Sequence, residues 1–131
     1  MGKAFEQRFT AGPDDIDIMG HVNNAVWVRW MEQLATAHWE ALAPPEAQAR
    51  YVWVVTRHEI DYRGNVSEGE DVLARTWIEE PPRGARFDRL IAFTGADGAP
   101  KVNARTTWAM IDKDTGRLAR VPGDLADIFL A

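Results

Sequence analysis

The spacing of apolar residues changes along the chain and separates two kinds of element. From Asn24 to about Leu42, apolar side chains recur every three or four residues, which predicts one long helix. Apolar residues cover most of its circumference, so we expect this helix to be buried. Asn23 or Asn24 supplies an N-cap, and Pro44-Pro45 ends the helix.

Elsewhere the apolar pattern has a period of two and predicts strands. From Val52 to Tyr62, the even-numbered residues share one strand face and the odd-numbered residues the other. Asp97-Gly98 and Asp114-Thr115-Gly116 predict hairpin turns. The other predicted strands cover residues 4–10, 71–79, 86–94 and 101–111, and residues 123–130 form a helical turn or an edge segment.

This order of elements predicts the α+β class, with one curved antiparallel sheet wrapped around one long buried helix. The chain has 131 residues and no repeat or linker, so residues 1–131 are expected to form a single domain. One sheet around one helix leaves an edge or a face uncovered. We therefore expect a homo-oligomer built from dimers, with sites between the subunits.

Composition narrows the expected partners. The chain has no cysteine, which excludes disulfides, and its net charge of −5 disfavours binding to nucleic acid. No apolar run approaches the roughly 18 residues of a membrane span, and the N-terminus lacks a signal-peptide pattern. A cytoplasmic protein without a membrane partner is the expectation.

Several catalytic classes lack their residues. Ser67 is the only serine and has no Gly-x-Ser-x-Gly sequence around it, and no thiol nucleophile exists. The chain has no phosphate-binding glycine loop and no zinc-ligand spacing, and Met19 occupies an oxygen-ligand position in the one calcium-like segment. We expect no metal and no bound cofactor. An enzyme of this sequence would use a carboxylate, a histidine or an activated water.

Such groups are concentrated in the segment Asp15-Ile16-Asp17-Ile18-Met19-Gly20-His21-Val22-Asn23-Asn24, directly before the predicted helix. The free N–H groups and the dipole of a helix N-terminus favour negative charge. A thioester carbonyl placed there would be polarised, and a carboxylate could attack it or deprotonate a water. Aspartates before a helix are also common caps, so a structural role is open as well.

This segment, followed by Trp27 and Glu32, resembles the signature of the 4-hydroxybenzoyl-CoA thioesterase family, which has the hot-dog fold. The resemblance covers nearly the whole chain, including residues 57–73 and 101–122. It implies hydrolysis of an acyl-CoA or acyl-carrier thioester, with CoA or a carrier pantetheine as part of the substrate. The sequence does not specify the acyl group.

The resemblance also implies roles for single residues. Asp17 matches the family's nucleophile or general base. Gly20 and Asn24 match positions whose backbone N–H groups meet the thioester carbonyl. His21 matches a functional histidine of plant acyl-ACP thioesterases, although Met19 stands where those enzymes have asparagine.

Other residues are candidates for binding the substrate. Trp27 replaces the family's usual tyrosine and, near the helix start, is a candidate pocket wall. Glu32 has either a pocket role or a structural pair with Arg29 or a strand arginine. Guanidinium groups bind phosphate, and the loop of residues 81–86 is the best candidate to do so. The candidate CoA-binding arginines are Arg57, Arg63, Arg83, Arg86 and Arg89.

Two other functions stay open. A hot-dog hydratase or dehydratase would pair a histidine with a carboxylate, as His21 and Asp17 could. A non-enzymatic acyl-CoA-binding module would need neither group. His58, on a strand face with Val54 and Ile60, is expected to be a core histidine, and so is His38.

Overall fold

The computed structural model describes residues 3–130, so residues 1, 2 and 131 of the predicted domain lie outside the described part. None of the helices in residues 3–130 combines the length and the apolar character needed to cross a membrane. In chain order the strands and α-helices are β1 (Phe5–Thr10), α1 (Asn24–Leu42), α2 (Pro45–Arg50), β2 (Tyr51–Tyr62), β3 (Asp71–Trp77), β4 (Arg86–Gly95), β5 (Pro100–Asp112) and α3 (Gly123–Leu130), and a short 3-10 helix, Pro13–Asp15, precedes α1.

The strands form one antiparallel sheet in the order β1-β3-β4-β5-β2, and this confirms the predicted α+β class. Helix α1 packs on one face of the sheet. Its first half contributes Trp27, Trp30 and Leu34 to a core cluster with Phe9 and Phe93. The second half of α1 contributes to another core cluster, which α3 also covers.

Helix α1 begins as predicted, because the Asn23 side-chain oxygen accepts a hydrogen bond of 3.0 Å from the Ala25 N–H. The prediction that the helix is buried on nearly all sides is wrong for the single chain. The sheet covers only one side of the helix, and the other side is exposed to solvent. The exposed residues of α1 are Asn24, Ala25, Arg29, Glu32, Gln33, Thr36, Glu40, Ala41 and Leu42.

Strand β2 departs from strict alternation. Its register with β5 shifts between Val55 and Arg57, which is a β-bulge. Trp53 and Val55 are partly buried and pack against the core before the bulge, and Ile60 does so after it. The predicted division into an even and an odd face is therefore wrong. His58 shares its half-buried face with Ile60 but not with Val54, which is exposed.

The strand registers define two ends of the sheet. The first, which we call the Asp17 end, contains Thr10, Asp71, Gly95 and Tyr62, and the Val22 N–H there donates a hydrogen bond of 2.9 Å to the Val66 carbonyl. The second, which we call the Arg86 end, contains Tyr51, Trp77, Arg86 and Asp112. Helix α1 begins at the Asp17 end and leads, through α2, to the Arg86 end.

Candidate active site

Residues 16–22 form a small hairpin before helix α1, which we call the Asp17 loop. Ile16 and Val22 pair across its base. The Gly20 N–H donates a hydrogen bond of 3.0 Å to the Asp17 carbonyl and closes a tight turn. Gly20 has a φ of 80°, a conformation that residues with a Cβ rarely adopt. The turn exposes Met19 at the tip of the loop and fixes the position of Asp17 at its base.

The carboxylate of Asp17 is oriented by the backbone of its own loop. Its Oδ1 accepts hydrogen bonds from the Met19 N–H at 2.9 Å and from the His21 N–H at 3.1 Å. Its Oδ2 has no hydrogen-bond partner among residues 3–130. The half-buried side chain is thus held in one orientation with one oxygen available to a substrate or a water.

Asp15 has a different environment. Its Oδ2 accepts a hydrogen bond of 2.9 Å from the Gly12 N–H, and its Oδ1 accepts one of 2.6 Å from Nη2 of Arg29. The Gly12 hydrogen bond, and after it Arg29, lower the pKa of the Asp15 carboxyl. Both oxygens are occupied, so Asp15 ties the loop to α1 while Asp17 keeps a free oxygen.

The first turn of α1 offers one free donor beside the Asp17 loop. Asn23 accepts the N–H of Ala25 with its side chain and the N–H of Val26 with its carbonyl, at 3.0 and 2.9 Å. The Asn24 N–H has no acceptor within the described chain. It therefore carries the positive end of the helix dipole toward any group bound there.

Two other site candidates differ in availability. The Gly20 N–H already donates to the Asp17 carbonyl, so it reaches a substrate only if that turn opens or the hydrogen bond is shared. The His21 side chain is half-buried and makes no hydrogen bond to residues 3–130. Asp17, Gly20, His21 and Asn24 are nevertheless brought together, as the sequence led us to expect. No group of three or more His, Asp or Glu within residues 3–130 could hold a metal ion.

The predicted pocket residues on α1 do not line a pocket at this loop. Trp27 is 2% exposed and packs edge-to-face on Trp30 and Phe93, so it is a core residue of the single chain. Glu32 lies on the solvent side of α1. Its predicted pair with Arg29 is not formed, because Arg29 binds Asp15 instead.

The candidate phosphate-binding arginines lie at different ends of the sheet. Arg63 follows β2 at the Asp17 end. Arg83 and Arg86 lie at the Arg86 end, and the ten-residue strand β4 separates them from the Asp17 end by about 30 Å. The Nη2 atom of Arg83 also forms an ion pair of 3.1 Å with Asp88. Of these three arginines, only Arg63 lies at the same end of the sheet as Asp17 of its own chain.

Arg89 is not a surface phosphate ligand. It is 3% exposed, and its Nη1 donates to Nδ1 of His38 at 2.8 Å and to Oγ1 of Thr76 at 3.0 Å. His38 is a core histidine, as predicted, with an exposed fraction of 1%. Arg89 lines a cavity of about 290 Å³ that no sequence pattern predicted, because its walls come from elements far apart in the sequence.

Comparison with known proteins identifies the class. The profile of the thioesterase-like superfamily matches residues 11–129, and the chain belongs to this superfamily. The chain is 22% identical over 134 residues to the chloroplast acyl-[acyl-carrier-protein] hydrolase FATB3 of Cuphea viscosissima. That match covers 95% of this chain and 32% of FATB3, so the chain spans about a third of that protein.

Solved structures share the fold. An acyl-ACP thioesterase from Bacteroides thetaiotaomicron superposes with a TM-score of 0.84 and 25% identity, covering 98% of this chain and 54% of its own. A predicted thioesterase from Bacillus stearothermophilus gives a TM-score of 0.85 and 24% identity, covering 97% of this chain and 94% of its own. The hot-dog fold implied by the sequence is thus confirmed.

Proposed function

We propose that this protein hydrolyses an acyl thioester of CoA or of an acyl-carrier protein, with Asp17 as the catalytic carboxylate. One observation carries the proposal: the Asp17 carboxylate is fixed through Oδ1 and free at Oδ2, in the loop that leads into the free Asn24 N–H. A negatively charged base and a donor for a developing oxyanion are the two groups that this hydrolysis needs.

The reaction then proceeds by general-base catalysis. The thioester carbonyl accepts a hydrogen bond from the Asn24 N–H, which draws electron density toward its oxygen. Asp17 Oδ2 takes a proton from a water while the water oxygen attacks the carbonyl carbon. The tetrahedral intermediate collapses, the C–S bond breaks, and the proton passes to the thiolate. A direct attack of Oδ2 on the carbonyl, followed by hydrolysis of the anhydride, uses the same geometry. His21 is a candidate proton carrier.

The thiol part of the substrate follows from the relatives and from the arginines. FATB3 and the Bacteroides enzyme act on acyl-carrier thioesters by their names, which supports a pantetheine-bearing substrate. Arg63, at the Asp17 end, is the candidate phosphate ligand from the same chain, whereas Arg83 and Arg86 would have to come from a second subunit. The finer resemblance to 4-hydroxybenzoyl-CoA thioesterases rests on the Asp15–Asn24 segment and extends the proposal to aromatic acyl groups.

A homodimer is part of this proposal. Strand β2 lies at an edge of the sheet, so one row of its N–H and carbonyl groups faces no strand of the described chain. Val52 and Val54 on this strand are each 43% exposed. Edge strands with apolar side chains favour pairing with a second strand. Pairing of β2 with the β2 strand of a second copy would cover the unpaired backbone edge and the exposed valines. It would also bring a partner subunit near each Asp17 loop.

Free-thiol release from a panel of acyl-CoA and acyl-carrier thioesters tests the proposal. We expect steady thiol release with at least one aromatic or aliphatic substrate. A hydratase or dehydratase would change the enoyl absorbance without releasing thiol. A binding module would bind substrates and do neither. Either of the last two results, obtained with protein that is folded by circular dichroism, would contradict the hydrolase assignment.

A further inference from the structure

A cavity lies at the other end of helix α1 from the Asp17 loop. Its walls come from the second half of α1, the start of β2, the strands behind them and α3, and its volume is about 290 Å³. Aromatic side chains form much of the lining: Trp39, Tyr51, Trp53, Phe87, Trp108 and Phe129. No residue of the Asp17 loop lines the cavity. From Asn24 to Trp39, α1 rises by about 22 Å, so the two places are separate in one chain.

The cavity has a buried cation in its wall. Arg89 lines it, and within residues 3–130 no carboxylate lies within 4.0 Å of this guanidinium. Burial lowers the pKa of Arg89 to about 9, which leaves it charged at neutral pH. An isolated buried charge is costly unless an opposite charge or hydrogen bonds compensate it.

The neighbours of Arg89 are neutral. Burial, with a smaller effect from the Arg89 charge, lowers the pKa of His38 to about 4, so His38 is neutral and accepts the Arg89 hydrogen bond through Nδ1. Thr76 accepts the other hydrogen bond, and the Phe87 ring lies 5.6 Å from the guanidinium carbon. The other charged residues that line the cavity, Glu40 and Lys113, are exposed and opposite in sign, so they do not neutralise Arg89.

The donors that remain free have the geometry of a carboxylate site. Both hydrogen bonds of Arg89 to the protein use Nη1, and neither Nε nor Nη2 has an acceptor among residues 3–130. The Nε and Nη2 edge of a guanidinium is a fork that binds the two oxygens of a carboxylate. The indole N–H of Trp108, in the same lining, is also buried without an acceptor.

We propose that this cavity binds a monocarboxylate anion with an apolar body, whose carboxylate meets the Nε–Nη2 edge of Arg89 and whose body packs on the aromatic lining. The volume is near the lower limit of about 300 Å³ for small-molecule pockets, which suits one small aliphatic or aromatic acid. The site goes beyond the reaction proposed for Asp17 and does not depend on it. The acid that a thioester hydrolase releases nevertheless belongs to this chemical class.

Octanoate and octanol, which share an apolar body, test the proposal by titration calorimetry on the wild-type protein. We expect octanoate to bind at least about tenfold more tightly than octanol, because only the acid forms charge-assisted hydrogen bonds. The variant Arg89→Met keeps an apolar side chain of comparable length and removes the charge. It should lose the preference for octanoate and retain binding of octanol. Equal affinities in the wild type, or a preserved preference in folded Arg89→Met, would overturn the proposal.

A second variant completes the test where Arg89→Met fails to fold. Trp108→Phe removes the indole N–H together with one ring of the side chain, so the ratio of the octanoate affinity to the octanol affinity is the quantity to compare with the wild type. This ratio should fall several-fold in folded Trp108→Phe, and an unchanged ratio would overturn the site.

Discussion

Nη2 of Arg29 lies 2.6 Å from Oδ1 of Asp15, and this ion pair joins the segment before the Asp17 loop to helix α1. The pair explains why two neighbouring carboxylates differ. Asp15 is fully bonded and positions the loop, whereas Asp17 keeps Oδ2 free. The position of the proposed base thus depends on a carboxylate that does not take part in the reaction.

This difference predicts a pH-dependent stability effect for Asp15→Asn. The Gly12 N–H and Arg29 lower the pKa of Asp15 below 3.8, so its stabilising contribution is present above that pH and is lost as the pH falls through the folded-state pKa. We expect Asp15→Asn to melt below the wild type at neutral pH and the difference to shrink below about pH 4. Thermal unfolding across this range measures it. Asp14→Asn is the matched control, because the exposed Asp14 side chain forms no hydrogen bond to residues 3–130, and it should not reproduce this destabilisation at neutral pH.

His38 predicts a second effect of pH on stability, which comes from a base and not from an acid. Burial, and then the charge of Arg89, lower its pKa from 6.5 to about 4. Between these two pH values the unfolded chain binds the proton more readily than the folded chain does. The contribution of His38 to the free energy of unfolding is therefore fully present above about pH 6.5. It falls as the pH drops toward 4, by at most about 1.4 kcal/mol per pH unit. His38→Asn, which keeps an acceptor for Arg89 and does not titrate, should reduce this slope. Urea unfolding at several pH values would show it, and an unchanged slope would exclude His38 as its source.

Much of the fold is predictable because periodicity reports local burial. The helix between Asn24 and Leu42, its Asn23 cap and the approximate positions of the five strands along the chain follow from local patterns, whereas the place of β2 beside β5 in the sheet does not. The exposed side of α1 does not, because apolar residues such as Ala25 and Leu42 also occur on solvent faces. The bulge in β2 is set by pairing with β5, which a single strand's pattern does not contain.

The site is predictable where its residues are contiguous. The Asp17 loop brings Asp17, His21 and Asn24 together because they are neighbours in the sequence. The position of Arg86 follows from the topology of the sheet and not from a local pattern. Each antiparallel strand carries the chain to the opposite end of the sheet, so counting the strands after α1 would have placed Arg86 at the end away from Asp17. The Arg89 cavity joins distant elements, and no local pattern marks it.

The exposed edge of β2 predicts an oligomer that one charge can disrupt. Val54 is 43% exposed on the edge strand, so a lysine there would place charge in the proposed interface. We expect the wild type to sediment as a dimer or larger at micromolar concentration, and Val54→Lys to shift toward monomer. Leu118→Lys, at a residue 52% exposed outside the strands, is the matched control and should not change the assembly. A monomeric wild type would contradict a site shared between subunits.

His21→Ala separates a chemical role from a structural one. The His21 backbone N–H, which binds Asp17, is kept in this variant, so the loop should retain its shape. If the imidazole carries a proton, kcat should fall by roughly tens to thousands of fold, the usual range for such groups. Thiol release with the best substrate measures this. Activity within about threefold of the wild type is too small a loss for an acid–base group and would remove His21 from the mechanism.

Asp17→Asn is the decisive variant for the proposed hydrolysis. The amide oxygen can still accept the Met19 and His21 N–H groups that hold the carboxylate, so fold and loop geometry should persist. The basic, negatively charged oxygen is lost. We expect thiol release to fall by at least about a hundredfold, comparable to the loss of general-base catalysis. Substrate affinity should stay near the wild-type value, because the Asn24 N–H remains available to the carbonyl.

The matched control for this variant is Asp14→Asn. It removes one negative charge from an exposed side chain that lies three residues before Asp17 in the sequence. It should retain full activity, so a loss confined to Asp17→Asn reports the position of the carboxylate and not the net charge. Circular dichroism and sedimentation on both variants establish that fold and assembly are intact. A folded Asp17→Asn protein with wild-type kcat on the best substrate would show that the free Oδ2 has no part in the chemistry. The catalytic group would then have to be sought elsewhere, with His21 as the first candidate.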